Sequence, residues 1–227
     1  MGAIKLDKAL LSFLKDLKEN NNRPWFEAHK SQFKDHQTAM KQWLEQLITK
    51  MNAHDQIEKY KLFRIYRDVR FSKDKTPYKP HFAASFAREG AARRGGYYLR
   101  VRPGESFMAA GFWDPNKDDL LRIRKELELD AQEFRETIEA KTLKESWGTL
   151  QGDAVKTAPK GFDKEHPDID LIRHKQFIFV RELSDKEVTA PGFMDQVDQN
   201  FRAIRPWFDL MSDILTTDLN GVSLLES

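Results

Sequence analysis

The densest concentration of chemically capable side chains lies between Arg64 and Phe82, around the run "RDVRFSKDKTPYKPHF". Six basic residues (Arg64, Arg67, Arg70, Lys73, Lys75 and Lys79) stand against two acids, Asp68 and Asp74, a local balance of +4. Repulsion among such charges is relieved by water, by acids from elsewhere in the chain, or by a ligand carrying phosphate or carboxylate. Pro77 and Pro80 stiffen the segment, and preorganisation lowers the ordering cost of binding. Arg67, Arg70, Lys73, Lys75, Tyr78 and Lys79 are therefore the ligand-binding candidates. Asp68, His81 and His166 are the acid–base candidates, since carboxylates and imidazoles can move a proton beside such cations.

Three readings follow. The first is a binding module that holds a phosphate- or carboxylate-bearing ligand in a basic pocket. The second is an enzyme on a phosphorylated or nucleic-acid substrate, which expects a hollow joining the basic segment to the His166 loop. The third is a structural or assembly protein whose basic motif is consumed in internal ion pairs. Asp163, Glu165, Asp168 and Asp170 are available counter-charges for that purpose. The expected partner is an anionic small molecule or a nucleic acid.

Other chemistries are narrowed by what the chain contains. It has no cysteine, which excludes disulfides, thiolate metal sites and a cysteine nucleophile. The six histidines form no H-x-x-x-H or H-E-x-x-H pair. His166 with Asp168 and Asp170 would suit a metal, but acids beside Pro167 are more simply a helix N-terminus. No metal site and no cofactor is assigned. A second basic cluster, "REGAARRGGYYLRVR" (residues 88–102), interleaves arginines with Tyr97 and Tyr98. That pattern can hold single-stranded nucleic acid, although a solvated hairpin tip accounts for it more simply.

The elements that must position these residues are legible in the periodicities. Apolar residues at Ala9, Leu10, Phe13, Leu14 and Leu17 mark an amphipathic helix. Asparagines end it, and Pro24 suits the start of the next. "KLFRIYRDVRF" alternates like a half-buried strand, and "FAASFAR" and "GYYLRVRPGESFMAAGFW" continue in kind, with "PGES" as a hairpin turn. Helices return afterwards, with Asp114 as a cap before Pro115 and a Ser184/Glu187 capping pattern after the strand-like "QFIFVREL". "LQGDAVK" reads as a small hairpin. Phe193, Val197, Phe201, Ile204, Phe208, Met211 and Leu215 form one apolar stripe, with a kink expected at Pro206. The expected fold is α+β in a single domain over 1–227. N-terminal helices span about 7–53, a central antiparallel sheet about 62–113, and a mixed helical part about 114–217 that ends in a long amphipathic helix.

Six stretches, "FLKDLKENNNRPWFEAHK", "RIYRDVRFSKDKTPYK", "GGYYLRVRPGE", "GFWDP", "LLRIRKEL" and "TAPKGFDKEHPDIDLIRHKQF", occur in this order. Together they resemble the domain-of-unknown-function 2461 family over roughly Leu11 to Phe208. The resemblance implies a compact microbial domain and no particular reaction.

Bulk properties agree. Of 227 residues, 33% are charged and 40% hydrophobic, a globular balance. Net charge is +2 but uneven, with +11 over residues 1–102 and −9 over 103–227. The N-terminus is charged throughout and lacks a secretory pattern. No window suits a membrane span, so the expected location is the cytoplasm.

Overall fold

The computed structural model describes residues 5–218 and 220–225; the first four residues, part of the N-terminal reading above, lie outside it. Helix α1 (Lys8–Glu19) starts where the Asp7 carboxylate accepts from the Leu10 N–H at 2.9 Å, satisfying one of the free amides of a first turn. Helix α2 (Arg23–Ala28) is capped likewise by Asn22, with Pro24 in its first turn, and α3 (Lys30–Met51) follows after His29. Phe13, Leu14, Leu17, Trp43, Leu44 and Leu47 from these helices are buried.

Five strands follow: β1 (Ile57–Leu62), β2 (Phe82–Arg88), β3 (Gly96–Val101), β4 (Ser106–Phe112) and, after a helical excursion, β5 (Phe177–Leu183). They pair antiparallel in the order β1-β2-β3-β4-β5. The fold is therefore α+β. The excursion holds α4 (Lys117–Leu129), α5 (Gln132–Glu139), α6 (Lys141–Trp147) and α7 (Ile169–Ile172). After β5 come α8 (Asp185–Val188), α9 (Phe193–Ala203) and α10 (Arg205–Thr216).

Several local expectations meet the structure directly. The "PGES" turn joins β3 to β4 with Gly104 at φ +71° and the Glu105 N–H donating to Arg102 O at 3.0 Å. Ser184 and Glu187 form a reciprocal capping box. The C-terminal stripe is buried from Phe193 to Leu215, but α9 and α10 meet at Ile204. Pro206 thus falls in a first turn, where its missing N–H costs nothing.

Others differ. The alternating run at 62–71 leaves the sheet: β1 begins earlier, at Ile57, and after Phe63, whose N–H reaches Ala83 O at 2.9 Å, the chain swings out as a loop. The loop returns beside itself through a Tyr66–Tyr78 bridge and the Arg67 N–Pro77 O and Lys79 N–Ile65 O bonds. Pro77 and Pro80 have no N–H to extend a ladder. Asn116, not Asp114, caps α4, accepting from the Asp118 and Asp119 amides. The "LQGDAVK" segment does not pair with itself; Gln151 and Ala154 bridge to Ile178 and His174.

One face of the sheet is packed under helices. Tyr97 of β3 meets Phe201 and Phe208 at centroid distances of 4.7 and 5.0 Å, and Phe179 of β5 meets Trp207 at 5.0 Å. Inside this layer lies a buried ionic network. Asp55 and Arg88 have side chains 0% and 1% exposed and are bonded at 2.9 Å. Asp55 also accepts from the Tyr97 hydroxyl at 2.6 Å and the Gln56 amide at 2.8 Å, and forms an ion pair with Arg205 at 3.1 Å. Arg88 reaches Arg94 O at 2.7 Å, Asp209 at 3.2 Å and Ser212 Oγ at 3.3 Å, with its guanidinium 5.1 Å from the Phe208 ring centre. Burial, then the neighbouring Asp55 charge, pushes the Tyr97 hydroxyl well above the usual tyrosine range, so it stays a donor.

The residue 88–102 cluster is therefore not a free basic tip. Arg88 is interior, Arg94 pairs with Asp119, and the Arg94 amide donates to Ser212 Oγ at 2.9 Å. Gly95, at φ +87°, lies under Phe208; a Cβ there would stand 2.6 Å from the ring.

Removing the Asp55 carboxylate leaves Arg88 and Arg205 without their buried counter-charge, with only the exposed Asp209 between them. Asp55→Ala is expected to lose about 3–5 kcal/mol of stability, the usual cost of breaking a buried pair. Urea unfolding followed by circular dichroism measures it. A loss within about 0.5 kcal/mol, the range of ordinary surface substitutions, would contradict this account of the network.

Candidate functional site

A cleft of about 530 Å³ opens where the basic loop meets the ends of α1 and β3. Lys18 comes from the last turn of α1 and Asn21 from the turn after it. Arg67, Asp74 and Thr76 come from the loop, Lys79 to His81 from the approach to β2, and Arg102 from the hairpin after β3. Each supply line has a local cause. Asn21 clamps the loop to the helix turn in both directions, its amide donating to Tyr78 O at 2.9 Å and its carbonyl accepting from Tyr78 N at 3.1 Å. Ser106 Oγ ties the Arg102 backbone, accepting from its N–H at 2.9 Å and donating to its O at 2.8 Å.

Four cations thus line one hollow. Arg67 is three-quarters buried and donates to Asp74 and to Thr76 Oγ1 at 2.6 Å. The Arg67 guanidinium, with the Thr76 amide and hydroxyl, holds the Asp74 carboxyl at about 2. Arg102 reaches Glu105 at 3.1 Å, and Lys18 stands 3.8 Å from the same carboxylate. The Lys79 ammonium has no ion-pair partner among the described residues. Two buried nitrogens of the lining, Arg102 Nε and His81 Nδ1, also lack a hydrogen-bond partner. Burial first, then the positive charges of Arg100, Arg102 and Lys79, pull the His81 imidazole down to about 4. At neutral pH His81 is uncharged, a neutral ring set among cations.

Lys18, Asn21, Arg67, Asp74, Thr76, Lys79 and Arg102 of this cleft fall within three of the six stretches that carry the family resemblance. A family model described as "Conserved hypothetical protein (DUF2461)" matches residues 9–210. The chain belongs to the DUF2461 family. No curated protein and no solved structure matches it. The DUF2461 match covers every residue of the cleft and all of the buried Asp55–Arg88 network except Ser212.

Of the ligand-binding candidates read from this DUF2461 sequence, Arg67 and Lys79 line the cleft. Arg70 is exposed and locked two-pronged onto Asp68, at 3.0 and 2.6 Å. Lys75 donates to Val69 O at 3.0 Å, and Lys73 is exposed. Tyr78 is 2% exposed and stacks on Phe26 at 4.0 Å, so it is a packing residue here. Of the acid–base candidates, only His81 reaches the cleft. Asp68 is held by Arg70, and its carboxyl lies below the usual range because of that bond. His166 lies elsewhere, against Glu128 O at 3.2 Å, and accepts from the Asp168 amide at 3.1 Å.

The C-terminal acids do not answer the basic loop. Asp168 and Asp170 are both engaged by Arg135, each at 2.6 Å. The loop cations find Asp68 and Asp74 within their own segment instead. Lys18, Asn21, Asp74, Thr76 and Arg102 escaped notice as site residues. For Asp74 and Thr76 a signal existed, since an aspartate two residues before a threonine in a turn is a common local cap.

His81 also sets a pH dependence. Its folded value of about 4 lies below the ordinary 6.5, so below pH 6.5 the unfolded chain binds the proton first. Stability contributed by the neutral ring is whole above that pH and is lost as pH falls toward 4. NMR titration of the His81 ring should give a midpoint near 4. The fall in urea midpoint between pH 6.5 and 4 should be shallower in His81→Gln than in the parent. A midpoint near 6.5 would remove the basis for both expectations.

Proposed function

We propose that the cleft binds an anionic group, phosphate or carboxylate, of a ligand. The observation that carries this reading is the pair of buried, unpartnered nitrogens, Arg102 Nε and His81 Nδ1, in a hollow lined by four cations and one carboxylate. A buried polar atom without a partner is costly. An anion accepting from Arg102, Arg67 and Lys79 would supply the missing acceptor. Its negative charge would also offset the positive charges that, after burial, depress His81. Arg67 is already oriented by Asp74 and Thr76, so little ordering remains to be done when the anion arrives. The hollow is large enough for more than an inorganic ion, which points to a small molecule or chain bearing the anionic group.

Sulfate tests the reading, because its charge is constant between pH 4 and 8. At constant ionic strength, sulfate should raise the melting temperature saturably, as any native-state ligand does. Arg67→Ala and Lys79→Ala should each weaken sulfate about tenfold or more, the scale of a charge-assisted hydrogen bond. Arg70→Ala, outside the cleft, should leave it unchanged. Bound sulfate should also raise the His81 midpoint above 4. Equal responses from Arg67→Ala, Lys79→Ala, Arg70→Ala and the parent would overturn the assignment.

A further inference from the structure

Opposite the helix-covered face, the sheet presents an aromatic surface that no function above uses. Antiparallel register places Lys61, Ser85, Tyr98, Ala109 and Val180 in one row across the five strands. Beside it runs a second row, in which Ala83, Arg100, Phe107 and Glu182 oppose one another. Phe63 joins that row through its bond to Ala83. Residues directly opposite in such a sheet share a face, so Phe63, Tyr98 and Phe107 stand together. Tyr98 and Phe107 stack with centroids 5.5 Å apart, and Phe63 lies 6.2 Å from Tyr98. Their ring contacts are with each other, whereas the aromatics of the opposite face pack on α9 and α10. Between them the strands carry Ala83, Ser85 and Ala109, and the three rings are themselves half-buried.

Cations lie over two of these rings. Lys61 stands over Phe63, 5.3 Å from its centre, and the Arg100 guanidinium over Phe107, 4.3 Å from its centre. Arg100 is held there by two bonds to Glu105 O, at 3.2 and 3.0 Å. A groove of about 490 Å³ runs over Phe107 and Val180 from Arg100 to Glu182, with Glu105 also in its lining. Along the strands, His81 and Arg102 come two residues beyond Ala83 and Arg100. They continue the same alternation, and both line the anion cleft. The aromatic surface therefore runs into the basic hollow.

We infer that this face binds single-stranded nucleic acid, with bases stacked on Phe63, Tyr98 and Phe107 and phosphates drawn to Lys61, Arg100 and the cleft. Every base has a π-face, so ring stacking is tolerant of sequence, and the cations supply the backbone term. A partner lacking either half of that chemistry would leave half of the surface unused. The inference rests on the anion reading of the cleft for one phosphate only; the stacking platform stands apart from it.

The experiment compares labelled 15-residue oligo(dT), oligo(U) and an abasic 15-mer of equal charge by fluorescence anisotropy at one fixed salt concentration. Oligo(dT) or oligo(U) should bind at least about tenfold more tightly than the abasic strand. Tyr98→Ala and Phe107→Ala should each weaken binding roughly tenfold, within the range for loss of one stacked base, while the sulfate response of the cleft stays intact. Tyr98→Trp, which keeps a ring, should restore it. Where an alanine variant fails to fold, the abasic comparison on the parent decides. Equal affinity for abasic and base-bearing strands overturns the inference. So does absence of oligonucleotide binding with sulfate binding intact, or sedimentation showing the face closed in a dimer that binds no strand. Base-dependent binding without a sulfate response would support the platform and sink the cleft reading alone.

Discussion

Asp55 is the point on which the arrangement turns. A carboxylate with no exposed surface must be surrounded by donors, because an unpaired buried charge is prohibitively costly. Here the donors come from four places: the amide of Gln56, Arg88 at the end of β2, Tyr97 in β3, and Arg205 at the start of α10. Meeting that demand fixes the first hairpin of the sheet and the last helix relative to the end of α3. Asp209 and Ser212 then add contacts to Arg88 from the same face of α10. An apolar core alone would fill the volume but would tolerate small shifts of α10; converging hydrogen bonds tolerate few.

With the sheet held on that side, its other face and its hairpin end are left for other uses. Arg102, at the β3–β4 turn, and His81, at the entry to β2, reach the cleft because their strands are adjacent. The loop from Arg64 to Pro80 is brought to them by Asn21, which bonds both backbone groups of Tyr78 while Tyr78 stacks on Phe26. The buried tyrosine is the loop's anchor, and the cations around it are the part left facing the hollow.

The charge asymmetry of the chain has a related explanation. Pairs do cross between the basic and acidic halves, as in Lys50–Asp195, Arg94–Asp119, Arg88–Asp209 and Arg205–Asp55. They join helices to one another, to the sheet and to the turn after α3, and do not reach the basic loop. That loop neutralises itself in part, Arg67 with Asp74 and Arg70 with Asp68, because partners a few residues apart in a turn meet at little entropic cost. In the cleft the remaining charge comes from Lys79 and from Lys18 and Arg102, which share the single Glu105 carboxylate.

By itself the sequence determined the α+β class, the helical stripes, the β3–β4 turn and the presence of a basic, proline-stiffened segment. These follow from periods of 3.6 and 2 and from the backbone limits of proline and glycine, all of which act over a few residues. It also singled out Arg67, Lys79 and His81 among its candidates. Only the tertiary structure decided that those three meet Lys18 and Arg102, that Arg70 and Lys75 are tied elsewhere, and that Arg88 is interior. The reason is physical. In an irregular loop no period sets side-chain direction, and a partner dozens of residues away is chosen by which backbone segments pack together, as Arg88 was by Asp55 and Arg67 by the hollow beside α1.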